Sequence, residues 1–368
     1  MSAAILLAAG GTGGHLVPAD ALSRELRARG HEVALVTDAR GTRFPGLFDG
    51  VETHVIPAAS LSGVNPLRWI SAFFTILKGR RAALALIRGK AIRAVIGFGG
   101  YPALPALLAG RAARLPTLVH EQNAVLGRVN RLLATRVSAV ALSHGTTARV
   151  PPSARVRQTG NPVRAEVIAA RDLSFAPPAP EAPFRLLVVG GSQGARILSE
   201  RVPAALAGLD EGLRRRLRVT HQARAEDLSA AAEQYGAAGI EAECHSYMVD
   251  LPARMAAAHL VIGRAGASTM SELTAMGRPA ILIPFAAATD DHQTANAAEF
   301  VAAHAGFALS EGQATPARIA ALVEGFMESP EALSAAAAAA RALGRPEAAS
   351  ALADLVEAEI AAQPKAGA

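Results

Sequence analysis

The sequence predicts two α/β domains, each a parallel sheet with helices on both faces. Three observations carry this. Short apolar runs alternate with segments of helical periodicity. A strand, a glycine-rich turn and a helix open the chain, and the same arrangement recurs near residue 184. A proline-dense stretch at 175–183 separates the two and reads as a linker. The 368 residues suffice for two domains of ordinary size. Aromatic residues make up only 4% of the chain, so both cores must be built from Ala, Leu, Val and Ile.

The first half places strands at 5–9, 33–37, 53–56, 94–97, 117–120 and 137–142. Its opening turn is Gly10-Gly11-Thr12-Gly13-Gly14-His15, followed by a helix over 16–29. Glycines let a backbone approach a ligand closely, and a turn entering a helix aims free N–H groups at an anion. The dinucleotide fingerprint G-x-G-x-x-G is not met, because Leu16 stands where its third glycine belongs. The second half places strands at 184–189, 218–221, 240–243, 260–262 and 279–283. Its turn is Gly190-Gly191-Ser192-Gln193-Gly194-Ala195-Arg196. Alanine-rich helix follows from about residue 316.

Charge is uneven. Residues 1–163 hold 20 Lys and Arg against 7 Asp and Glu, a balance of +13, and the remainder holds 17 against 24, a balance of −7. The first half therefore suits an anionic surface. Nucleic acid fits poorly, since the basic residues are not interleaved with stacking aromatics. An acidic membrane leaflet fits the segment at 66–77 better: it carries the only tryptophan, Trp69, with Phe73 and Phe74, and is followed by Lys78, Arg80, Arg81 and Arg88. A helix simply packed on the sheet is the plainer alternative. No apolar run reaches the roughly 20 residues that span a bilayer, and the apolar N-terminus lacks the basic flank of a signal peptide. One cysteine, Cys244, excludes an internal disulfide, fits a reducing compartment and reads as a partly buried thiol.

Polar clusters mark the predicted strand ends. Gly97-Phe98-Gly99-Gly100 reads as a tight turn. His120-Glu121-Gln122-Asn123 is poor packing material and suits sugar binding. In Gly160-Asn161-Pro162-Val163-Arg164, the arginine can clamp a phosphate. The densest cluster runs from Gly263 to Glu272. Ser268 or Thr269 can cap a helix there, while Arg264 and Gly266 before its start can form a diphosphate site. Asp290 and Asp291 suit the start of a helix better than a metal site, because adjacent carboxylates point to different sides of it. The histidines at 31, 54, 144, 221, 245, 259 and 304 are scattered and read mostly as surface or locally satisfied residues.

Five of these motifs, in order, together resemble the MurG family of bacterial glycosyltransferases, a resemblance that spans about residues 5 to 310. They are the turn at 10–15, the cluster at 120–123, the segment at 160–164, the turn at 190–196 and Arg264-Ala265-Gly266-Ala267. The resemblance implies the GT-B fold, two Rossmann-like domains with parallel sheets facing across a cleft. It places domains at 1–162 and 184–345, a hinge at 163–183, and a tail from 346 that packs back toward the first. It implies transfer of N-acetylglucosamine from UDP-N-acetylglucosamine to the C4 hydroxyl of lipid I, an undecaprenyl-diphosphate-linked N-acetylmuramyl-pentapeptide, giving lipid II. It also implies inversion at the anomeric carbon, no metal or other cofactor, and a peripheral position on the cytoplasmic face of the inner membrane.

Roles follow from the same resemblance. Ser192 and Arg164 would hold the donor diphosphate. Ala267, Ser268, Thr269, Met270 and Ser271 would hold phosphates and ribose, with Glu272 on the ribose hydroxyls. Met248 would read uracil through its backbone, and Gln293 would orient the sugar hydroxyls. Thr12, Gly13, Gly14 and Asn123 would line the N-terminal side of the site. His15 is the expected general base, since imidazole titrates near neutral pH; Glu121 is the rival. The alternatives are a GT-B transferase with another acceptor, a dinucleotide-dependent oxidoreductase, and a membrane scaffold without activity. The missing third glycine and the second glycine turn oppose the oxidoreductase. The polar strand ends oppose the scaffold.

Overall fold

The computed structural model describes residues 2–41, 46–59, 66–191 and 194–363, with side chains in the helix at 66–89 described from residue 69 onward. The chain divides into two compact units. One runs through Arg164 and resumes at Pro346; the other is the continuous segment Ala165–Arg345.

In the first unit the strands are β1 (Ala4–Ala8), β2 (Glu32–Thr37), β3 (Glu52–Val55), β4 (Ile92–Gly97), β5 (Thr117–Glu121), β6 (Ala139–Leu142) and β7 (Val156–Gln158). They form one parallel sheet in the order β3-β2-β1-β4-β5-β6-β7. Its helices are α1 (Gly13–Ala28), α2 (Pro66–Gly89), α3 (Ala103–Ala112) and α4 (Arg128–Leu133). The central strands are near-continuous apolar runs because helices cover both faces of the sheet. Ile5 and Leu7 face α1; Leu6 and Ala8 face the cluster that holds α2 and α3.

The second unit begins with α5 (Ala165–Arg171). Its strands are β8 (Phe184–Val189), β9 (Leu217–Gln222), β10 (Glu241–His245), β11 (Leu260–Gly263), β12 (Ala280–Leu282) and β13 (Gly306–Ala308). They form a parallel sheet in the order β10-β9-β8-β11-β12-β13. Its remaining helices are α6 (Arg196–Ala207), α7 (Glu211–Arg216), α8 (Leu228–Ala237), α9 (Leu251–Ala257), α10 (Ala267–Met276), α11 (His292–Ala302), α12 (Pro316–Glu328) and α13 (Pro330–Leu343). The last helix, α14 (Ala348–Ala361), belongs to the first unit and lays Leu352, Ala353 and Val356 into the core beside Leu22 and Leu26 of α1.

Three sequence expectations change. The stretch 163–183 is not a separate linker: Ala165–Arg171 is helical, and Phe175 packs on the second core with the Arg278 guanidinium 5.3 Å from its ring. β7 and β13 lie at sheet edges where the apolar pattern gives no strand. Helix α10 begins at Ala267 with Gly266 as its N-cap and no side-chain cap, so neither Ser268 nor Thr269 caps it.

Both sheets reverse their strand order in the same way. The reversal falls between β1 and β4 in the first unit and between β8 and β11 in the second. Open α/β sheets bind ligands outside the carboxyl ends of the strands at such a point.

Candidate active site

In the first unit two turns meet at the reversal, one after β1 and one after β4. They fit together only because they are glycine. A Cβ on Gly10 would stand 2.5 Å from Pro102 Cγ, and one on Gly100 would stand 3.0 Å from the Gly10 carbonyl oxygen. Gly99, at φ +89°, leaves room for the His15 ring, whose Nε2 would lie 3.1 Å from an added Cβ.

His15 lies in the first turn of α1, after the extended residue Thr12. Its Nδ1 is 3.0 Å from the Gly10 carbonyl oxygen and 3.2 Å from Thr12 Oγ1. A carbonyl only accepts, so Nδ1 carries the proton in that bond and Nε2 holds the lone pair. Among the residues expected from sequence, Thr12, Gly13, Gly14 and His15 are thus one local structure. Nearby, Asp38, Arg40, Val55, Ile56 and Tyr101 line an open cavity of about 580 Å³. The Arg40 guanidinium stands over Gly11, 2.6 Å from where a Cβ would be.

Glu121 ends β5 and is 2% exposed. Its Oε1 accepts from the backbone N–H and side-chain amide of Asn123, at 3.0 and 3.1 Å. Its Oε2 accepts from the Gly127 N–H at 2.8 Å and from Asn130 Nδ2 at 2.9 Å. Four donors thus hold the carboxylate as the hub of the 121–130 loop. Asn130, which the sequence pattern did not single out, also donates to the His120 carbonyl at 3.2 Å. His120 is fully buried; its Nε2 donates to the Gly160 carbonyl at 3.0 Å, and its Nδ1 accepts from Gln122. Burial pushes its pKa down to about 4, against the opposing effect of the Gly160 bond.

In the second unit the turns after β8 and β11 flank the reversal. Ser192, expected as a diphosphate ligand, lies outside the described residues. Around it, Gly194 packs against the end of β9, where its Cβ would meet Arg224 Cγ at 2.7 Å and the Arg224 backbone nitrogen at 3.0 Å. Helix α6 starts directly after this turn. After β11, α10 starts without a side-chain cap, so its first backbone N–H groups carry the helix's positive end. Ser271 and Thr274 turn their hydroxyls back to the Ala267 and Met270 carbonyls, at 2.9 and 3.0 Å. Thr269 and Met270 occupy the first turn, and Glu272 is buried on the same helix.

Arg264 is differently engaged from the expected diphosphate ligand. Its Nη1 donates to the Ile283 and Pro284 carbonyls at 2.9 and 3.1 Å and pairs with Glu311 at 2.7 Å. The Phe285 ring covers it at 5.2 Å. It braces the loops beyond β12. Helix α11 braces them too: Gln293 Oε1 accepts from the Phe285 N–H at 3.0 Å, and Asn296, also missed in the sequence, donates to the Ala265 carbonyl at 3.0 Å. The Gln293 NH₂ remains the end able to meet a hydroxyl. Asp290 and Asp291 do not sit in the helix: both have positive φ, and Asp291 is the N-cap of α11. Met248 buries its side chain while Tyr247 and Val249 are exposed, which fixes the backbone of that segment. Arg164 is the last residue of the first unit.

Two reversal points, each lined by a glycine turn and a helix start, are the places where open parallel sheets take up ligands. The chain belongs to glycosyltransferase family 28: residues 5–142 match the description "Glycosyltransferase family 28 N-terminal domain" and residues 185–355 match "Glycosyltransferase family 28 C-terminal domain". Among similar proteins, one from Novosphingobium aromaticivorans is 53% identical over 354 residues, covering 96% of this chain and 91% of that one. One from Zymomonas mobilis subsp. mobilis is 53% identical over 355 residues, with the same coverage. Both are named UDP-N-acetylglucosamine--N-acetylmuramyl-(pentapeptide) pyrophosphoryl-undecaprenol N-acetylglucosamine transferase. The crystal structure of Acinetobacter baumannii MurG superimposes with a TM-score of 0.75 at 28% identity, covering 96% of this chain and 99% of that one. The fold is therefore GT-B. A UDP-GlcNAc 2-epimerase from Neisseria meningitidis, at 11% identity and a TM-score of 0.68 over 96% of this chain and all of that one, shares the fold alone.

Proposed function

We propose that this chain transfers N-acetylglucosamine from UDP-N-acetylglucosamine to the C4 hydroxyl of the N-acetylmuramyl sugar of lipid I, giving lipid II. The observation that carries this is the identity of about one half to relatives of that name, running through both units. The first unit presents acceptor-side groups and the base; the second holds the donor.

The acceptor hydroxyl attacks the anomeric carbon, and the bond from that carbon to the diphosphate oxygen breaks. The electron pair leaves with UDP, and the hydroxyl proton goes to His15 Nε2. One displacement inverts the anomeric centre. Support for His15 comes from its Nδ1–H bond to the Gly10 carbonyl, which sets the tautomer with Nε2 basic. Glu121 serves as a positioning residue, because four N–H donors already occupy its oxygens. The diphosphate charge is met by the uncapped start of α10, with Ala267 to Met270, and by Ser192 and Arg164. Glu272 takes the ribose hydroxyls, Met248 the uracil through its backbone, and Gln293 the sugar. Arg264 supports these loops from behind. Asn123, fixed by Glu121, and Thr12 to Gly14 complete the acceptor side. None of these roles requires a metal or cofactor.

The first unit would also rest on the cytoplasmic face of the inner membrane. Trp69, Ile70, Phe73 and Phe74 on α2 are 53–57% exposed, an apolar cluster that a soluble surface rarely carries. No helix among the described residues is long and apolar enough to cross a membrane. The basic residues that follow, Lys78, Arg80 and Arg81, suit an anionic leaflet. Trp69→Glu with Phe73→Glu should weaken binding to anionic vesicles at least tenfold; unchanged binding would remove this part.

The transfer itself is tested by incubating the protein with UDP-N-acetylglucosamine and a lipid I analogue. The expected products are UDP and a β-linked disaccharide lipid. Glycosylation of a different acceptor, with the lipid I analogue untouched, would overturn the assignment.

A further inference from the structure

Arg264 is 9% exposed, and among the described residues Glu311 is the carboxylate paired with it. The pair stands behind the loop that follows β12. Backbone groups there are held one by one. The Ile283 N–H donates to the Gly263 carbonyl at 2.7 Å, the Ile283 and Pro284 carbonyls accept from Arg264, and the Phe285 N–H donates to Gln293 Oε1 at 3.0 Å. The Phe285 ring lies against the same guanidinium. A backbone N–H only donates, so Phe285 fixes which way the Gln293 amide faces and leaves its NH₂ as the free end.

Glu311 is itself presented from a fixed backbone. It lies in the turn after β13, where Gln313 Oε1 accepts from the Ser310 N–H and hydroxyl at 3.2 and 3.0 Å. The Gln313 and Ala314 N–H groups donate to the Ser310 carbonyl at 2.9 Å. From α6, Arg201 donates to the Glu311 and Ala314 carbonyls. The turn therefore aims its carboxylate at Arg264, 2.7 Å away. A guanidinium this deep needs an anion. Two anions compete for it at this place: Glu311 and, once the donor binds, the diphosphate at the start of α10. Glu311 keeps it on the Ile283 and Pro284 carbonyls.

We propose that Glu311 is a positioning residue for recognition of the donor sugar: it holds Arg264 on the loop 283–285, and through the Phe285 N–H it fixes the end of the Gln293 amide that meets the sugar. This rests on the donor reading above. It adds a specificity determinant that touches no substrate and stands on the turn beyond the edge strand β13.

The test uses the full chain with Glu311→Ala, Glu311→Gln, Gln293→Ala and the double variant of Glu311→Ala with Gln293→Ala. Ser310, Gln313 and Arg201 hold the turn, so Glu311→Ala should fold. Titration calorimetry with UDP and with UDP-N-acetylglucosamine gives the sugar's share of affinity as the ratio of the two Kd values. In Glu311→Ala that share should fall about fivefold. Kd for UDP should stay level or drop, because the released guanidinium can meet the diphosphate. Glu311→Gln keeps an acceptor for Arg264 and should hold the share within about twofold of wild type. Gln293→Ala should lose the share by itself, and Glu311→Ala should take nothing further from it in the double variant. An unchanged share in Glu311→Ala, or losses that add in the double variant, would overturn the proposal. So would an equal rise of both Kd values in Glu311→Ala, the mark of a merely structural role. A full share in Gln293→Ala would instead defeat the donor reading of Gln293, and the proposal with it.

Discussion

The two units share a topology and differ in the side chains that stand at their strand ends. At the first reversal point two buried titratable side chains are held by neighbours within the unit. Glu121 is met by Asn123, Gly127 and Asn130, and His120 by Gly160 and Gln122. Buried oxygens without a partner occur in both units, Thr37 Oγ1 and Asn130 Oδ1 in the first and Gln222 Oε1 and Ser268 Oγ in the second, and α1 and α10 both begin without a side-chain cap. A duplicated frame has thus been given two kinds of site. One carries a histidine turn beside a hydrogen-bonded glutamate hub; the other carries a glycine turn beside a helix start whose first hydroxyls turn back on their own helix. The fold supplies the place and the side chains supply the chemistry.

The sharpest way to break this contrast is to remove the proposed base. His15→Ala should lower kcat by about 10²–10⁴ and leave UDP affinity within twofold, as read by single-turnover transfer and by titration. Turnover near wild type would return the base role to another group. Next in size is Glu121→Ala, which strands several buried donors and should cost the first unit about 3–5 kcal/mol in denaturant unfolding. Glu121→Gln, which keeps acceptance at one oxygen, should cost less. If Glu121→Gln instead abolished turnover with stability intact, Glu121 would be the base and the contrast would fail.

A third change acts on room rather than on charge. Gly99→Ala places a methyl beside His15 Nε2 at a positive φ, costing about 1–2 kcal/mol of backbone strain. It should lower kcat about tenfold while leaving KM for the donor unchanged, because only the first site is crowded.

The smallest effect is a difference in acid sensitivity. His120 in the first unit and His221 and His259 in the second are buried, and burial brings each pKa down to about 4. Histidine unfolds with a pKa near 6.5. Between those values the unfolded chain binds the extra proton, so stability falls as pH drops from about 6.5 to about 4 and is flat above that window. The second unit carries two such groups and should lose stability more steeply, which hydrogen exchange resolved by unit can measure at pH 7 and 5. His221→Gln should flatten the slope of the second unit alone.

Much of this fold is written in the sequence. Eleven of the described strands coincide with the runs read from the sequence, and the central ones are apolar because a buried parallel strand packs on both faces. The two exceptions are physical. Val156–Gln158 and Gly306–Ala308 are three-residue edge strands with exposed residues, and carry no pattern to detect. The prolines at 177–183 read as a linker, yet Phe175 beside them is packed beneath Arg278. At the site, the glycine turns and His15 are local and therefore legible. The network around Glu121 is not, because Asn130 reaches it only once the loop has folded back. Gln222 ends a strand that also carries Thr220 and His221, and its lack of a partner exists only in three dimensions.

The docking of α14 on α1 carries a consequence for synthesis. Arg29 pairs with Asp354 and Glu357 at 2.6 and 2.9 Å, and Leu352, Ala353 and Val356 complete the core built on Ile5 and Leu7. Those residues leave the ribosome only after the whole second unit. The second unit is one unbroken segment and can close its core while the chain is still growing. The first unit, begun before the second, must wait with an unfilled groove along α1 until α14 arrives, so the order of birth and the order of completion run in opposite directions.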